Sequence, residues 1–408
     1  MSNSFSRHDF LRTSFLGIAG LYLSSITAKQ IHSFSNEKLK LEYGEFYPDF
    51  QFGNFNYGYA GATPLILAEA QEKTRKLLQQ FPYSILEKIK SEIRENNRKL
   101  LAEWLNVEAE NLSFQTNTTY ALNQVIFGLD LPKKSKIVLS EYDYPLVLNA
   151  WKQRAKREDL SLFYVTISPY DSDEVIVEKY KNAIVKQKMS ILHLTHVWNW
   201  NGRVLPVLEI IEIAKKNGVK VIIDGAHSFG LLDVTPIIQQ ADVYVGTFHK
   251  WFNAGLSLSF LHLKKDIIPS IFPLESAYPS QEKDIRKFEM SGVRDLTVEN
   301  TFPLALELHN NFGSSEKLKR LQYLRGLILK ELEKSTHWST HNIGSYNGMI
   351  FLQHKVLDGK TIATKLQNEH GISVGLVQVG ELNGIRVSPH FTCEVEDVSR
   401  LIDVLLTI

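Results

Sequence analysis

Short apolar runs alternate with helical segments through the middle of the chain, and this alternation limits the possible folds more than any other feature. Helical segments such as 208–216 separate most of these runs. Six runs have the length and apolar character of buried strands, at residues 136–140, 161–167, 189–195, 219–224, 242–247 and 257–263. Strands that alternate with helices form mostly parallel sheets covered on both faces. The sequence therefore predicts an α/β domain whose ligand binds beyond the carboxyl ends of its strands.

The pattern changes near residue 302, where long helices and fewer strands follow. Helices are predicted at 303–312, at 315–334 and from 395 to the end, with short strands at 348–353 and 384–388. This order is typical of a smaller α+β domain. We expect an N-terminal segment at 31–60, a large domain at 61–300 and a small domain at 301–408.

The first 30 residues have the shape of a signal peptide, with basic residues ahead of an apolar run, 15–26, that ends near small residues. The segment Ser6-Arg7-His8-Asp9-Phe10-Leu11-Arg12 resembles the twin-arginine export signal, although His8 replaces the second arginine. The run is too short to span a bilayer comfortably. We expect export to the periplasm; the alternative is an amphipathic helix packed on a cytoplasmic protein.

Charge and cysteine content narrow the possible partners. The 46 Lys and Arg residues against 45 Asp and Glu residues leave a formal charge of +1, too weak a field to indicate nucleic acid or an anionic membrane as partner. Cys393 is the only cysteine, which excludes an internal disulfide and a multi-cysteine metal site. We expect a small-molecule substrate.

The ends of two predicted neighbouring strands carry the residues that indicate chemistry. The run 219–224 ends in Asp224 and the run 242–247 leads to Lys250, and polar residues surround both ends: His227, Thr247 and His249. An amine, a carboxylate and hydrogen-bond donors would meet at one edge of the sheet. Pyridoxal 5'-phosphate needs this set, for its aldehyde, its ring nitrogen and its phosphate. Taken alone, Lys250 would be interpreted as a solvated surface lysine.

Three further segments fit the same site. Asn117, Thr118 and Thr119 precede a helical run, and the N-terminus of a helix favours a phosphate dianion; the alternative is an ordinary helix cap. Tyr144 follows a strand and could stack on the cofactor ring, although a lone tyrosine more often serves packing. Asn199 follows the run 189–195, within reach of the ring hydroxyl.

These segments, at 114–119, 143–145, 194–199, 221–250 and 384–390, resemble the class V aminotransferase family of fold-type-I pyridoxal phosphate enzymes. Within that family the resemblance is to the isopenicillin N epimerase-like branch. It implies a homodimer that acts on an amino acid or a small amine-bearing peptide.

The resemblance also implies a role for each matching residue. Lys250 would carry the imine with the cofactor, and Asp224 would pair with the pyridine nitrogen. His227 and Asn199 would contact the ring hydroxyl, and Tyr144 would stack on the ring. The phosphate would be held by Thr118, Thr247 and His249. Arg386 would grip the substrate carboxylate, for which its planar fork is suited; the alternative for Arg386 is a surface ion pair.

Two departures from the family pattern bear on the reaction. The family's Gly-Thr-x-Asp segment, which reaches the phosphate across the dimer interface, is here Gly292-Val293-Arg294-Asp295, so only a backbone amide remains. Residues 371–380 lack the nucleophilic cysteine of the cysteine desulfurases, and Cys393 lies after Arg386. A persulfide mechanism is therefore disfavoured.

The reaction itself stays open at this level. Cleavage of the Cα–H bond is the expected first step, with Lys250 as base. Epimerisation, transamination and β-elimination share that step. A non-catalytic family member with a binding role would be expected to lose Lys250, Asp224 or Arg386. A metal-dependent hydrolase has little support, because the 13 histidines form no His-Glu-x-x-His pattern.

Overall fold

The computed structural model of the chain describes residues 53–340 and 344–408. The predicted signal peptide at 1–30, and most of the predicted N-terminal segment, lie outside the described residues. Within the described residues, no helix has both the length and the apolar character needed to cross a bilayer.

The described residues form strands and helices in mixed order. The strands are β1 (Gly53–Asn54), β2 (Leu112–Gln115), β3 (Lys136–Ser140), β4 (Ser161–Val165), β5 (Ile191–Thr195), β6 (Arg203–Val204), β7 (Lys220–Asp224), β8 (Val243–Thr247), β9 (Ser259–Leu263), β10 (Trp338–Ser339), β11 (Ser345–Tyr346), β12 (Ile350–His354), β13 (Ile372–Ser373), β14 (Gly375–Val379) and β15 (Leu382–Val387). The helices are α1 (Leu65–Gln80), α2 (Pro82–Lys88), α3 (Arg94–Leu105), α4 (Thr118–Gly128), α5 (Pro145–Glu158), α6 (Asp173–Gln187), α7 (Val207–Lys216), α8 (Thr235–Gln240), α9 (Thr297–Asn300), α10 (Phe302–Phe312), α11 (Ser314–Leu332), α12 (Gly359–His370) and α13 (Val395–Thr407).

A seven-stranded sheet in the order β2-β9-β8-β7-β5-β3-β4 forms the centre of the larger part. Strand β9 is antiparallel to both of its neighbours, and the remaining pairs are parallel. The predicted α/β fold with a mostly parallel sheet is confirmed, and all six predicted strands are present. Strand β2 was missed, because its Ser113 and Gln115 are buried polar residues that bond to each other and hide the apolar pattern.

Both faces of this sheet are covered, which explains the continuous apolar runs. In β7, Val221 and Ile223 pack in one core cluster, and Ile222 packs in the cluster on the opposite face. Successive side chains of a strand point to opposite faces, so a strand buried on both sides favours apolar residues at consecutive positions.

The C-terminal part has its own sheet and core. Strands β10, β12, β15 and β14 form a four-stranded antiparallel sheet, and α11 and α13 contribute Leu324, Ile328 and Leu401 to its core. Helix α10 instead packs Phe302 and Leu306 into the core of the large sheet, although it lies beyond residue 300. The two parts also share packing, since Phe351 of β12 and Val377 of β14 join the core of the large sheet.

The described residues that directly precede α1 pair with the C-terminal part. Strand β1 pairs in parallel with β13, and Asn56 forms a bridge with Ser388. The backbone amide of Gly61 donates to His249 O at 2.7 Å. Residues 53–62 therefore run from the C-terminal part to the turn that follows β8, where Lys250 lies.

Candidate active site

Lys250 lies in the turn after β8 and is partly buried. Its Nζ is 2.8 Å from His227 Nε2, which follows the neighbouring strand β7. The pKa of Lys250 is lowered to about 7, mainly by burial; the charge of Asp224 opposes this shift and that of Arg386 adds to it. The amine can therefore exist in neutral form near neutral pH, as a nucleophile or base must.

Asp224 and His227 occupy the tight turn at the end of β7. The amide of Ala226 donates to Asp224 Oδ1 at 2.9 Å, and burial raises the pKa of this carboxyl. Burial and the charge of Lys250 hold the pKa of His227 well below its usual value, and its Nδ1 is buried without a partner among the described residues. Gly225 is required here, because a Cβ atom would lie 2.1 Å from the Tyr244 ring.

The predicted phosphate ligands lie at the start of α4 and the end of β8. Asn117 caps α4 by accepting from Tyr120 N at 2.8 Å, so the alternative interpretation as a cap holds for its side-chain oxygen. The buried Thr118 Oγ1 has no partner among the described residues, and Thr119 is half-buried. A free hydroxyl at a helix N-terminus suits a phosphate.

His249 can offer one N–H to a phosphate. Its Nδ1 is 2.6 Å from Thr247 Oγ1, and burial, aided by Lys250, lowers the pKa of His249 to about 4. In the neutral tautomer that carries its proton on Nε2, Nδ1 accepts from the Thr247 hydroxyl and the Nε2–H is left for a ligand. Thr247 is fully buried, so the structure indicates that it orients His249.

Tyr144 begins the turn into α5, and a buried carboxylate that the sequence analysis passed over holds this turn. Asp143 accepts from Ser140 N at 2.7 Å and from Thr195 Oγ1 at 2.6 Å, which joins the ends of β3 and β5. Burial raises the pKa of Asp143 to about 7. The pKa of Tyr144 is raised by burial and by the charges of Tyr59 and Asp224, and the stacking of its ring on the cofactor stays a prediction.

Arg386 lies in β15 and is 8% exposed, so it is not a surface ion pair. Its Nη1 donates to Asn199 O at 2.7 Å, and its Nη2 donates to Asn56 Oδ1 at 2.7 Å. Its Nε has no partner among the described residues. Burial lowers the pKa of Arg386 to about 10, which leaves the guanidinium charged at neutral pH.

The two residues that accept hydrogen bonds from Arg386 were not predicted in this role. Asn199 contributes its backbone carbonyl, and its contact with the ring hydroxyl stays a prediction. Asn56 was missed by the sequence analysis, because 330 residues separate it from Arg386. Its only local signal was the Asn-Tyr-Gly sequence before α1. A Cβ atom on Gly375 would lie 3.0 Å from Asn56 Oδ1 and 3.1 Å from Arg386 Nε, so a larger residue would crowd the guanidinium.

Gly292 and Cys393 differ from the residues above in exposure and in reactivity. Gly292 is exposed with φ of +71°, and the adjacent Val293 is 79% exposed. Contact between Gly292 and the phosphate of a partner subunit stays a prediction. Burial raises the pKa of Cys393 to about 12, so its sulfur remains a protonated thiol and a poor nucleophile.

The residues present fit pyridoxal 5'-phosphate. The Lys250 amine suits the aldehyde, and the Asp224 carboxylate suits a protonated ring nitrogen. The unpaired Thr118 hydroxyl and the His249 N–H suit the phosphate. The buried His227 Nδ1, unpaired among the described residues, is a further polar atom that a ligand would satisfy.

Comparisons with known proteins agree with this assignment. The family model "Aminotransferase class-V" matches residues 82–401. Isopenicillin N epimerases from Amycolatopsis lactamdurans and Streptomyces clavuligerus are 25% and 24% identical, each over 86% of this chain and 94% of the relative. A probable chloroplastic L-cysteine desulfhydrase of Arabidopsis thaliana is 25% identical over 70% of this chain and 64% of its own length.

Solved structures share the fold at low sequence identity. The cystine C-S lyase C-DES superimposes with a TM-score of 0.76 at 22% identity, over 87% of this chain and 97% of its own. A cysteine desulfurase from Thermococcus onnurineus gives a TM-score of 0.73 at 20% identity, over 88% and 94% of the two chains.

Proposed function

The chain belongs to the aminotransferase class-V family and is a pyridoxal phosphate-dependent enzyme, and from this premise we propose that it cleaves the Cα–H bond of an α-amino acid or a small amine-bearing peptide. The observation that carries the proposal is the position of Lys250. Its amine lies 2.8 Å from His227 Nε2, with its pKa lowered by burial to about 7.

Lys250 would hold the cofactor covalently and, once substrate has displaced it, take the α proton. When bound, the cofactor withdraws the electron pair that the departing proton leaves on Cα. A base with a pKa near the working pH is partly unprotonated and still accepts a proton readily. Burial of the Lys250 amine supplies this match.

Arg386 would select substrates that carry a carboxylate. Two of its guanidinium nitrogens already bond to Asn199 O and Asn56 Oδ1, which hold the plane of the fork. The unpaired Nε and the second protons on the other two nitrogens are left for a ligand. A buried cation without a carboxylate partner among the described residues gains most from an anionic substrate.

Epimerisation is the first candidate reaction. The isopenicillin N epimerases are similar to this chain over 94% of their own length, which supports a reaction in which the proton returns to Cα. The natural substrate would then be an amino acid or a peptide with a free α-amino group.

Elimination of a sulfur group from Cβ is the second candidate. Similarity to a probable L-cysteine desulfhydrase supports it, and it begins with the same loss of the α proton. The buried, protonated Cys393 favours elimination over transfer of sulfur to the enzyme. In this reaction the sulfur leaves as a free thiol or sulfide.

We further propose that the enzyme is a homodimer with Gly292 close to the partner's phosphate, and that residues 1–30 direct its export. Light scattering of the purified enzyme tests the first statement. Fractionation of cells that carry the full chain, with and without Arg7→Ala, tests the second.

Solvent exchange tests the proposed first step. The enzyme is incubated in D₂O with single amino acids and small peptides, and deuterium at Cα is measured by mass spectrometry. We expect exchange with at least one carboxylate-bearing substrate and none with Lys250→Ala. Analysis of the same samples for inverted configuration, keto acid and sulfide separates the candidate reactions. Turnover without exchange at Cα would contradict the proposal.

A further inference from the structure

A buried lysine with an unusual environment lies outside the site described above. Lys317 in α11 is 2% exposed, and no carboxylate of the described residues pairs with it. Burial lowers its pKa to about 7. An amine buried without a counter-charge destabilises a fold unless its hydrogen bonds compensate, so its contacts indicate what it does.

Lys317 bonds to the residues that follow Lys250. Its Nζ donates to Trp251 O at 3.2 Å and lies 3.0 Å from His309 Nδ1. Burial and Lys317 keep the pKa of His309 well below its usual value, so the ring is neutral and Nδ1 accepts. His309 also stacks on Phe252, with ring centroids 4.2 Å apart and planes 12° apart.

The other side of the same turn is held by different parts of the chain. Asn253 has φ of +66°, and its Nδ2 donates to Ala62 O at 3.1 Å and lies 2.8 Å from His390 Nε2. Gly61 N donates to His249 O at 2.7 Å. Each residue of 249–253 is thus held. Lys317 and His309 supply hydrogen bonds from α11 and α10, beside the packing of Phe302 of α10 on Phe252.

We propose that Lys317 is a positioning residue, which fixes the backbone of Lys250 through the Trp251 carbonyl and the His309 ring. The inference rests on the proposed function in that Lys250 is the group being placed. The Lys250 amine must bond to a ligand and then act as a free base, so its backbone has to stay still while its side chain moves. Displacement of a catalytic group by about 1 Å can cost as much as 100-fold in rate.

The effect would act through geometry and not through charge. The charges that act on the pKa of Lys250 are those of Asp224 and Arg386. Lys317 lies behind the turn, close to the rings of Phe312 and Phe391. If its donor is lost, the turn can relax outward, and the Lys250 amine becomes better hydrated.

The test compares three variants. Lys317→Met keeps the aliphatic stem and removes the amine. His309→Phe keeps the ring on Phe252 and removes the acceptor. Lys287→Met is the matched control: Lys287 is also a buried lysine, and it donates to Ile268 O at 2.6 Å and Glu282 O at 2.9 Å. Thermal unfolding of each variant confirms that it folds.

The first measurement uses cofactor-free protein. Lys250 is labelled with an amine-selective reagent across a pH series, and its modified peptide is quantified by mass spectrometry. Because better hydration favours the charged amine, we expect the labelling midpoint of Lys317→Met to rise by about 1 pH unit, with a smaller rise in His309→Phe. The second measurement is kcat and KM of the loaded enzyme, where we expect kcat to fall about 10-fold with little change in KM.

A wild-type midpoint and wild-type kcat in Lys317→Met would overturn the inference, whatever its melting temperature, and so would an equal shift in Lys287→Met. If Lys317→Met does not fold, His309→Phe is judged by the same criterion. Labelling of Lys250 does not need the cofactor. A cofactor bound to another residue of the wild-type enzyme would contradict the proposed function. The labelling of Lys250 would still test the role of Lys317.

Discussion

Lys250 and Asp224 form ions of opposite charge, yet burial favours the neutral form of both. It lowers the pKa of Lys250 and raises the pKa of Asp224. A ligand with a positive charge would therefore stabilise the ionised form of Asp224. A ligand that bonds to the neutral amine would likewise be favoured at Lys250. A protonated ring nitrogen beside Asp224 would restore its ionised form. The amino-acid sequence indicates the cofactor through the residue types and their positions at neighbouring strand ends, and the structure adds the effect of burial.

Replacing Asp224 by Asn tests its charge at constant size. A neutral amide at this position would be unable to hold the ring nitrogen in its protonated form, so we expect cofactor binding to persist and kcat to fall by about 100-fold or more. The measurement is the steady-state rate together with cofactor content. Asp242→Asn is the control, since Asp242 accepts from Val221 N at the opposite end of the same strand pair. A near-normal rate in Asp224→Asn would show that the assignment of this carboxylate is wrong.

Arg386 tests the substrate carboxylate. Arg386→Lys keeps a charge but loses the planar fork, so we expect kcat/KM to fall by an amount that corresponds to about 2 to 5 kcal/mol, with cofactor absorbance unchanged. The exposed Arg157→Lys serves as control. Unchanged kcat/KM in both Arg386→Lys and Arg386→Ala would show that Arg386 does not bind a substrate carboxylate.

At the scale of elements, the strands of the large sheet were predictable because both of their faces are buried. A run such as 219–224 needs no knowledge of its neighbours to be identified as a strand. The contacts that complete the site are different. Asn56 meets Arg386 across 330 residues of sequence, and Lys317 reaches Trp251 across 66, so neither pairing leaves a local pattern.

Two similar turns show how an element's position changes the role of one residue type. In Ser140-Glu141-Tyr142-Asp143 and Ser168-Pro169-Tyr170-Asp171, the aspartate accepts from the serine amide at 2.7 Å. Asp143 also bonds to Thr195 on the adjacent strand β5, whereas Asp171 pairs with Lys179 at 2.5 Å and is less buried. Only the first turn therefore ties two strand ends together beside Tyr144.

We expect Asp143→Asn to destabilise the protein by about 1 to 3 kcal/mol, because an amide N–H₂ replaces one of two acceptors in a buried site. It should also shift the absorbance of bound cofactor, since Tyr144 loses its anchored turn. Denaturant unfolding and the absorption spectrum check the two effects. Asp171→Asn should leave the absorption spectrum unchanged and should destabilise the protein less than Asp143→Asn. Equal effects of the two variants would contradict the role given to Asp143.

At the scale of the whole molecule, the low pKa values of Lys250 and Lys317 make stability depend on pH in cofactor-free protein. The ordinary pKa of each is 10.5 and the folded value is about 7. Between these values the unfolded chain holds a proton that the folded chain has released. Stability therefore rises with pH across this window, and each lysine contributes at most about 1.4 kcal/mol per pH unit.

Removing one of these lysines should flatten that rise. We expect the free energy of unfolding of cofactor-free Lys250→Met to increase less between pH 7 and pH 10.5 than that of wild type. Denaturant unfolding at a series of pH values measures the slope, with the exposed Lys99→Met as control. Parallel curves for wild type and Lys250→Met would mean that the Lys250 amine is not held in its neutral form.

Chemical trapping of the cofactor on the chain tests the central claim most directly. Purified enzyme is treated with borohydride, which makes a cofactor–lysine link permanent, and the modified peptide is identified by mass spectrometry. We predict a single pyridoxyl group on Lys250, lost in Lys250→Ala, while Lys317→Ala retains it on Lys250. Modification of a different lysine, or none in protein reconstituted with pyridoxal 5'-phosphate, would contradict the account.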